Sequence, residues 1–359
     1  MLPYYFMIGV PLLFAMFHTI SLDNPFHRLQ KKNYTILFFF AIFFLLLALR
    51  NIEIGVDTST YYSSFLRLRS LSWADAFTKS RWEVGFVALT KLIGTFTDEP
   101  RVYFAIIAAI YVIPIAVMYY RESEDDITAM ALFLTFPIFG MGFSGMRQIV
   151  AMAFTPAVYY TTRKKQLWRT LLLVLLASLF HNSALVLFIF YPLYHIKLRP
   201  KHLFWLIPGF VLTALYNTRL YSFIVPLFGT DYAERYSEIT TTSSNTMIFL
   251  FIIFVAYAFW APDENLMDKD MIGLRNIQVL VLFIQLFSPI SPFTMRANYY
   301  YLLFVPLLIP KVSHRITRVD TRYVQLIRMG ITAFFLIYYL LKMHSTDSFQ
   351  IYPYLTYWQ

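Results

Sequence analysis

Residues 34–49 read YTILFFFAIFFLLLAL, an unbroken stretch without a charged side chain. Such a stretch is typical of a helix inside a membrane, where the backbone must satisfy its own hydrogen bonds. The whole chain shares this character, because 58% of its 359 residues are hydrophobic, 19% are aromatic and only 14% are charged. The mean hydropathy is +0.57, and a soluble fold of this length could not bury so much apolar surface. We therefore expect an all-α polytopic membrane protein and exclude soluble enzymes, nucleic-acid-binding modules and disordered proteins.

Similar apolar stretches bring the expected total to about 12 transmembrane helices, assigned to a single membrane domain over residues 1–359. The spans are predicted at 2–20, 34–49, 102–120, 127–140, 148–162, 170–180, 184–196, 203–218, 246–261, 276–290, 297–310 and 325–341. Lys and Arg are commoner in cytoplasmic loops, so the basic clusters orient the spans. These clusters lie at 28–32, 163–169, 197–201 and 311–322. Placing all four inside puts both termini outside, with outer loops at 50–101 and 219–245.

One further apolar segment, residues 83–96 (EVGFVALTKLIGTF), would reverse this orientation if it crossed the membrane. We therefore predict a re-entrant or interfacial helix on the outer side. Three hairpins, with their apices at residues 145–147, 181–182 and 295–296, have arms too short to span ~30 Å of hydrocarbon. Each apex carries a charged or titratable side chain and should lie below the outer surface. Together they predict a water-accessible cavity that opens to the outside.

Three arginines are the candidate anion-binding residues of this cavity. Arg147 lies between two apolar arms, where a guanidinium is costly unless it faces an anion or an acid. Arg50 opens the longest outer loop and Arg296 stands at an apex. Because arginine binds phosphate oxygens bidentately, the set predicts a substrate with a pyrophosphate, and the Gln148 amide can donate another hydrogen bond. The alternatives are an intramolecular ion pair for Arg147 and interfacial anchors for the other two.

Three side chains are candidates for proton transfer. His181 is the only one of the seven histidines that this topology places at an outer apex. A base that works near neutral pH favours histidine over an ordinary carboxylate, so His181 is the favoured general base. Asp57 or Glu83 is the alternative base, or orients the substrate.

Metals and cofactors are not expected at this site. The chain has no cysteine, no second histidine stands at a ligand spacing on the outer side, and arginine can take over the electrostatic role of a cation. The Asp268-Lys269-Asp270 triplet mimics a metal-binding Asp-x-Asp motif, but we expect it in a solvated acidic loop on the cytoplasmic side.

Five short motifs occur in order along the chain. They are Arg50…Gly55-x-Asp57-x-x-x-Tyr61, Glu83-x-Gly85-Phe86, Met146-Arg147-Gln148, Phe180-His181-x-Ser183-Ala184 and Arg296…Tyr300. With them the sequence resembles the EpsG-like and Wzy-type polysaccharide polymerases of bacteria, except that Met146 replaces the usual leucine. Tyr61 and Tyr300, as part of these motifs, join the candidate substrate-binding residues.

This resemblance implies a multi-pass glycosyltransferase of the cytoplasmic (inner) membrane with a GT-C-like helical architecture and an active site that faces the outside. The implied substrate is an oligosaccharide repeat unit linked to undecaprenyl pyrophosphate, destined for O-antigen, capsule or exopolysaccharide. A chain-length regulator and a flippase are further candidate partners beside the lipid bilayer.

Two other functions use the same residues differently. A flippase or transporter of a lipid-linked or anionic solute would need the arginine cavity without making a bond. A membrane acyltransferase that modifies surface sugars would use a basic residue and a histidine early in the chain, such as Arg28 and His18. That alternative would leave the outer arginines unexplained.

Overall fold

The computed structural model describes residues 1–20, 34–224, 245–345 and 348–359. All regular structure in these ranges is helical, so the all-α expectation is confirmed. The basic cluster at 28–32 lies outside the described residues, and so does most of the outer loop predicted at 219–245. The first six residues of that loop, 219–224, belong to a helix.

Contacts group the chain into two compact units. Unit 1 comprises Met1–Leu185 and Arg328–Gln359, and unit 2 comprises Val186–Ile327. Single-domain organisation stays a prediction.

Unit 1 contains the first eleven helices. They are α1 (Leu2–Ile20), α2 (Thr35–Ala48), α3 (Thr58–Ser70), α4 (Trp73–Thr78), α5 (Val84–Phe96), α6 (Pro100–Glu122), α7 (Asp126–Thr135), α8 (Pro137–Ser144), α9 (Met146–Met152), α10 (Thr155–Arg163) and α11 (Leu167–Ser178). A 3₁₀ helix, Asn182–Ile189, continues into unit 2. There follow α12 (Phe190–His195), α13 (Pro200–Ile224), α14 (Asn245–Trp260), α15 (Lys269–Gln285), α16 (Pro292–Leu302) and α17 (Val305–Ser313). The last helix, α18 (Thr321–Ser345), begins in unit 2 and returns the chain to unit 1.

Few of the described helices are long enough to be complete spans. Helix α6 and residues 321–344 of α18 have the necessary length and apolar character, and α7 with α8, bent by 60°, would make a third. Prolines explain the shortening, because a new helix starts at or beside Pro137, Pro156 and Pro306. Proline lacks the N–H of a helical hydrogen bond and clashes with the preceding turn. Several predicted spans are therefore pairs of short helices, and the predicted number of about 12 is not confirmed.

Helix α2, which contains most of the opening stretch, lies in the core of unit 1 and packs against α6. Phe40 is 1% exposed, and its ring lies 5.2 Å from the rings of both Tyr119 and Phe133. Phe43 lies 5.6 Å from Phe133. These edge-to-face contacts add to the burial of apolar area and hold α2, α6 and α7 together.

Residues 349–357, here called the return segment, lie against the loop that follows α2. Their backbone hydrogen bonds run from Tyr357 N–H to the Leu49 carbonyl (2.8 Å), from Asn51 N–H to Leu355 (3.0 Å), from Gly55 N–H to Gln350 (2.8 Å) and from Val56 N–H to Phe349 (3.1 Å). The C-terminal part of unit 1, residues 328–359, is therefore hydrogen-bonded to its N-terminal part at this loop.

In unit 2 the acidic triplet 268–270 is not the solvated loop that the sequence predicted. Asp268 caps α15 by accepting a hydrogen bond from Met271 N–H at 2.8 Å. This cap places Asp270 in the first turn, where it is only 7% exposed. Asp270 accepts from Lys311 Nζ at 3.1 Å and from the Tyr194 hydroxyl at 2.5 Å. The carboxylate is buried with its counter-charge rather than solvated.

Candidate functional site

The loop before α3 is pressed against the end of α8. Gly55 has φ +96°, and a Cβ there would lie 2.1 Å from the Phe143 carbonyl oxygen. Only glycine tolerates both this backbone conformation and this approach. The Thr58 hydroxyl donates to the same carbonyl at 3.0 Å. As a result Asp57 lies beside Ser144, whose hydroxyl donates to its Oδ2 at 3.3 Å.

A second glycine brings the start of α5 to the end of α11. Gly85 N–H donates to the Leu179 carbonyl at 2.8 Å, and a Cβ on Gly85 would lie only 2.8 Å from that oxygen. Glu83, two residues earlier, therefore lies next to His181, with 3.7 Å between Oε1 and Nδ1. The backbone N–H of Asn182 lies 3.4 Å from the same carboxylate oxygen.

Arg147 lies between Glu83 and Tyr61 of α3. It stands in the first turn of α9, after the break at Gly145, and its Nη1 donates to Glu83 Oε2 at 2.6 Å. The side chains are half-buried to buried, with exposed fractions of 23% for Arg147 and 9% for Glu83. The guanidinium lies 5.7 Å from the ring of Trp82 and is hydrogen-bonded to Tyr61. Burial raises the pKa of Tyr61, although the charge and hydrogen bond of Arg147 oppose this rise.

The intramolecular ion pair that we considered for Arg147 is thus present, but it does not use the whole guanidinium. The Nε atom is buried and has no hydrogen-bond partner within the described ranges. Glu83 therefore engages only part of the guanidinium, and the Arg147 side chain keeps 23% of its surface exposed although Nε itself is buried.

The two acids differ in their partners. Glu83 is shared between Arg147 and the 181–182 turn. Asp57 accepts from Ser144 and, among the described residues, has no cation within ion-pair distance. The Nδ1 atom of His181 lies 3.3 Å from the Ser183 N–H and accepts from it, which in a neutral imidazole assigns the proton to Nε2.

The sequence model of the EpsG family matches residues 33–356 of 359. This chain belongs to the EpsG family. No significant match was found among curated proteins or among solved structures. Membership of the EpsG family confirms the resemblance drawn from the five motifs and is associated with polysaccharide polymerases in the membrane.

Glu83, Arg147 and His181 form what is here called the Arg147 cluster. Two other candidate residues of this EpsG-family chain lie beside this cluster rather than in it. Arg50 is 2% exposed, donates to the Leu47 carbonyl at 2.6 Å and lies 6.0 Å from the ring of Phe143. Gln148, next to Arg147, is 1% exposed. Arg50 is thus buried against the Leu47 carbonyl and the Phe143 ring. No carboxylate in the described ranges lies within ion-pair distance of it.

The candidates in unit 2 require one correction. Arg296 was expected at a hairpin apex, but it lies within α16, whose first residue is Pro292. Residues 286–291 between α15 and α16 are not helical; the Ser288 hydroxyl donates to the Gln285 carbonyl at the end of α15, and proline at the first position favours the start of α16. Tyr300 is fully buried in the same helix.

Three parts of the site were missed in the sequence. Trp82 and Ser144 adjoin motif residues, and their position was the only signal available. The return segment gave no signal, because its contacts with the Asp57 loop are made by the backbone. Among the described residues, no group of three or more His, Asp or Glu side chains is placed to hold a metal ion; metal independence stays a prediction.

Proposed function

We propose that this EpsG-family protein polymerises oligosaccharide repeat units carried on undecaprenyl pyrophosphate, at the outer face of the bacterial cytoplasmic membrane. The observation that carries the proposal is the position of Arg147 between Glu83 and Tyr61, with His181 on the far side of Glu83. A partly exposed arginine beside proton-accepting groups suits the departure of a pyrophosphate from a sugar.

The reaction joins two lipid-linked substrates. A hydroxyl at the non-reducing end of the acceptor unit attacks the anomeric carbon of the donor chain. A glycosidic C–O bond forms, the bond from the anomeric carbon to the pyrophosphate breaks, and the hydroxyl proton passes to the base. The donor lipid leaves with its pyrophosphate, which takes both electrons of the broken bond.

Arg147 is assigned to the negative charge that develops on the departing pyrophosphate. The sequence motifs assign Arg296 to the same group with Arg50 in support. They make Gln148, Tyr61 and Tyr300 further candidate substrate-binding residues, and all three are buried in the structure. Arginine neutralises this charge and offers directional donors, so the mechanism operates without a metal ion.

His181 remains the favoured general base, and its contacts determine which ring nitrogen can accept the hydroxyl proton. To accept a proton on Nε2, the imidazole must give up the hydrogen bond from the Ser183 N–H and hold its other proton on Nδ1. Glu83 Oε1, 3.7 Å away, would then stabilise the imidazolium. Asp57 is the alternative base, because a cation does not engage it among the described residues and Ser144 orients it. His181→Gln and Asp57→Asn separate the two, since the variant without its base should lose about 10²–10⁴-fold in rate.

Reconstitution tests the proposal. The purified protein in liposomes is incubated with lipid-linked repeat units, and glycan length is measured by gel electrophoresis. We expect a ladder of longer glycans, absent with Arg147→Ala. Translocation of the lipid without elongation would instead identify a flippase, and incorporation of acyl groups an acyltransferase. Adding a candidate chain-length regulator or flippase in a second series would show whether either changes the ladder.

A further inference from the structure

The loop at residues 49–57 is held on one side by the return segment, which comes from the far end of unit 1. The N–H groups of Gly55 and Val56, directly before Asp57, donate to the carbonyls of Gln350 and Phe349 at 2.8 and 3.1 Å. At the other end of the loop, Asn51 N–H donates to the Leu355 carbonyl at 3.0 Å. Because backbone hydrogen bonds fix direction as well as distance, this pairing sets the path of the chain that leads into Asp57.

The return segment also contacts the helix on the opposite side of Asp57. The ring of Phe349 covers Gly140 in α8 so closely that a Cβ there would lie 2.3 Å from its Cδ2. Ser144, the hydroxyl partner of Asp57, stands four residues further, about one turn along the same helix. The return segment therefore contacts both the Asp57 loop and α8. The distance between this loop and this helix sets the Asp57–Ser144 contact.

Buried anchors keep the return segment in place. Ile351 is 3% exposed, and its carbonyl accepts a hydrogen bond from the Tyr4 hydroxyl in α1. The Tyr354 hydroxyl donates to the Leu46 carbonyl in α2 at 2.9 Å. The ring of Tyr352 lies 4.7 Å from that of Tyr4. These contacts attach the segment to the core of unit 1 independently of the loop.

We propose that the return segment is a positioning element of the active site, which holds Asp57 against Ser144 and so at a fixed place beside the Arg147 cluster. The inference rests on the proposed function, because it takes Asp57 to act on the substrate. It assigns a role in the reaction to Phe349, Ile351 and Tyr354, none of which touches substrate. Displacement of a reacting group by about 1 Å can cost a hundredfold in rate, so loosening this segment should lower turnover without removing any site residue.

A matched pair of variants tests the role of the segment. Ile351→Asp places a charge at a buried anchor, whereas Trp358→Asp places the same charge one residue beyond the segment, at a ring that is 67% exposed. Per inserted protein, Ile351→Asp should lose roughly tenfold to a hundredfold in polymerisation, while Trp358→Asp should stay within about twofold of the parent. If Ile351→Asp fails to insert, Tyr354→Phe removes only the hydroxyl bonded to Leu46 and should lose about threefold to tenfold.

A spin label distinguishes positioning from general stabilisation. The chain has no cysteine, so Val56→Cys, at a side chain 46% exposed, carries a single nitroxide beside Asp57. Its spectrum should show greater mobility in the Ile351→Asp background and not with Trp358→Asp. Unchanged mobility, or unchanged polymerisation despite a mobile label, would overturn the proposal. If the parent makes no polymer at all, the proposed function fails, and this inference about the reaction fails with it. The label still reports whether the segment holds the loop.

Discussion

Arg147→Lys separates a catalytic arginine from one that only stabilises the fold. In the structure a single atom, Nη1, contacts Glu83 Oε2 at 2.6 Å. A lysine ammonium can replace this one charged contact, but it cannot reproduce the planar donors of the guanidinium. If the ion pair were the only role of Arg147, the lysine variant would therefore keep most of its folded protein and most of its activity.

The proposed function predicts a different result for the same variant. Loss of one preorganised donor to the departing pyrophosphate typically costs on the order of a hundredfold in rate, which is about 2.7 kcal/mol of transition-state stabilisation. Arg147→Lys should thus polymerise at about 1% of the parent rate at equal abundance in the membrane. Arg147→Ala should be worse and should also insert less well, because it leaves Glu83 mostly buried without its cation.

The assay is the reconstituted elongation reaction, with glycan length measured by gel electrophoresis and normalised to the protein in the liposomes. Arg163→Lys is the matched control, because Arg163 also donates through Nη1 to a carboxylate, Glu122, at 3.0 Å, and it lies outside the cluster. It should retain at least about half of the parent rate. Arg147→Lys activity as high as that of the control would remove Arg147 from the catalytic residues.

Three more outcomes are expected. Gly85→Ala places a Cβ against the Leu179 carbonyl, which should lower the free energy of unfolding by about 1–3 kcal/mol and the rate of polymerisation at least about tenfold. The control Gly330→Ala, whose Cβ meets nothing within 4 Å, should lower neither. Equal effects of the two variants would argue against the close approach at Gly85. Elongation should survive EDTA, and complete loss that one divalent ion restores would refute the metal-independent mechanism. In intact cells or spheroplasts, an impermeant thiol reagent should label a cysteine at position 235 but not one at 165, and the reverse pattern would invert the predicted topology.

The sequence predicted the membrane class and most of the cluster for definable reasons. The apolar composition indicates that the helices lie in a lipid bilayer rather than in water. Charged groups between apolar arms pointed to Glu83, Arg147 and His181, and these three side chains lie together in unit 1. The glycine two residues after Glu83 has a steric explanation that only the packed structure supplies, because its partner is a backbone carbonyl of another helix.

Other features depended on contacts that no local pattern records. The predicted spans divide where prolines stop one helix and start another, and hydropathy does not detect such breaks. Asp270 is buried because Lys311, in another helix, supplies its counter-charge at 3.1 Å. Arg296 lies inside a helix because Pro292 sets where that helix starts. The return segment pairs through its backbone, so its side chains give no hint of its partner.

The pairing of residues 49–57 with residues 349–357 has a consequence for biosynthesis. Tyr354 and its partner Leu46 are 308 positions apart. At about 5–20 residues per second, a ribosome needs roughly 15 to 60 seconds to make the intervening chain. Throughout that time residues 49–57 lack the segment with which they pair, while unit 2 is being translated. A nascent chain interrupted between residues 182 and 348 consequently contains Asp57, Glu83, Arg147 and His181 but lacks the segment that pairs with the Asp57 loop.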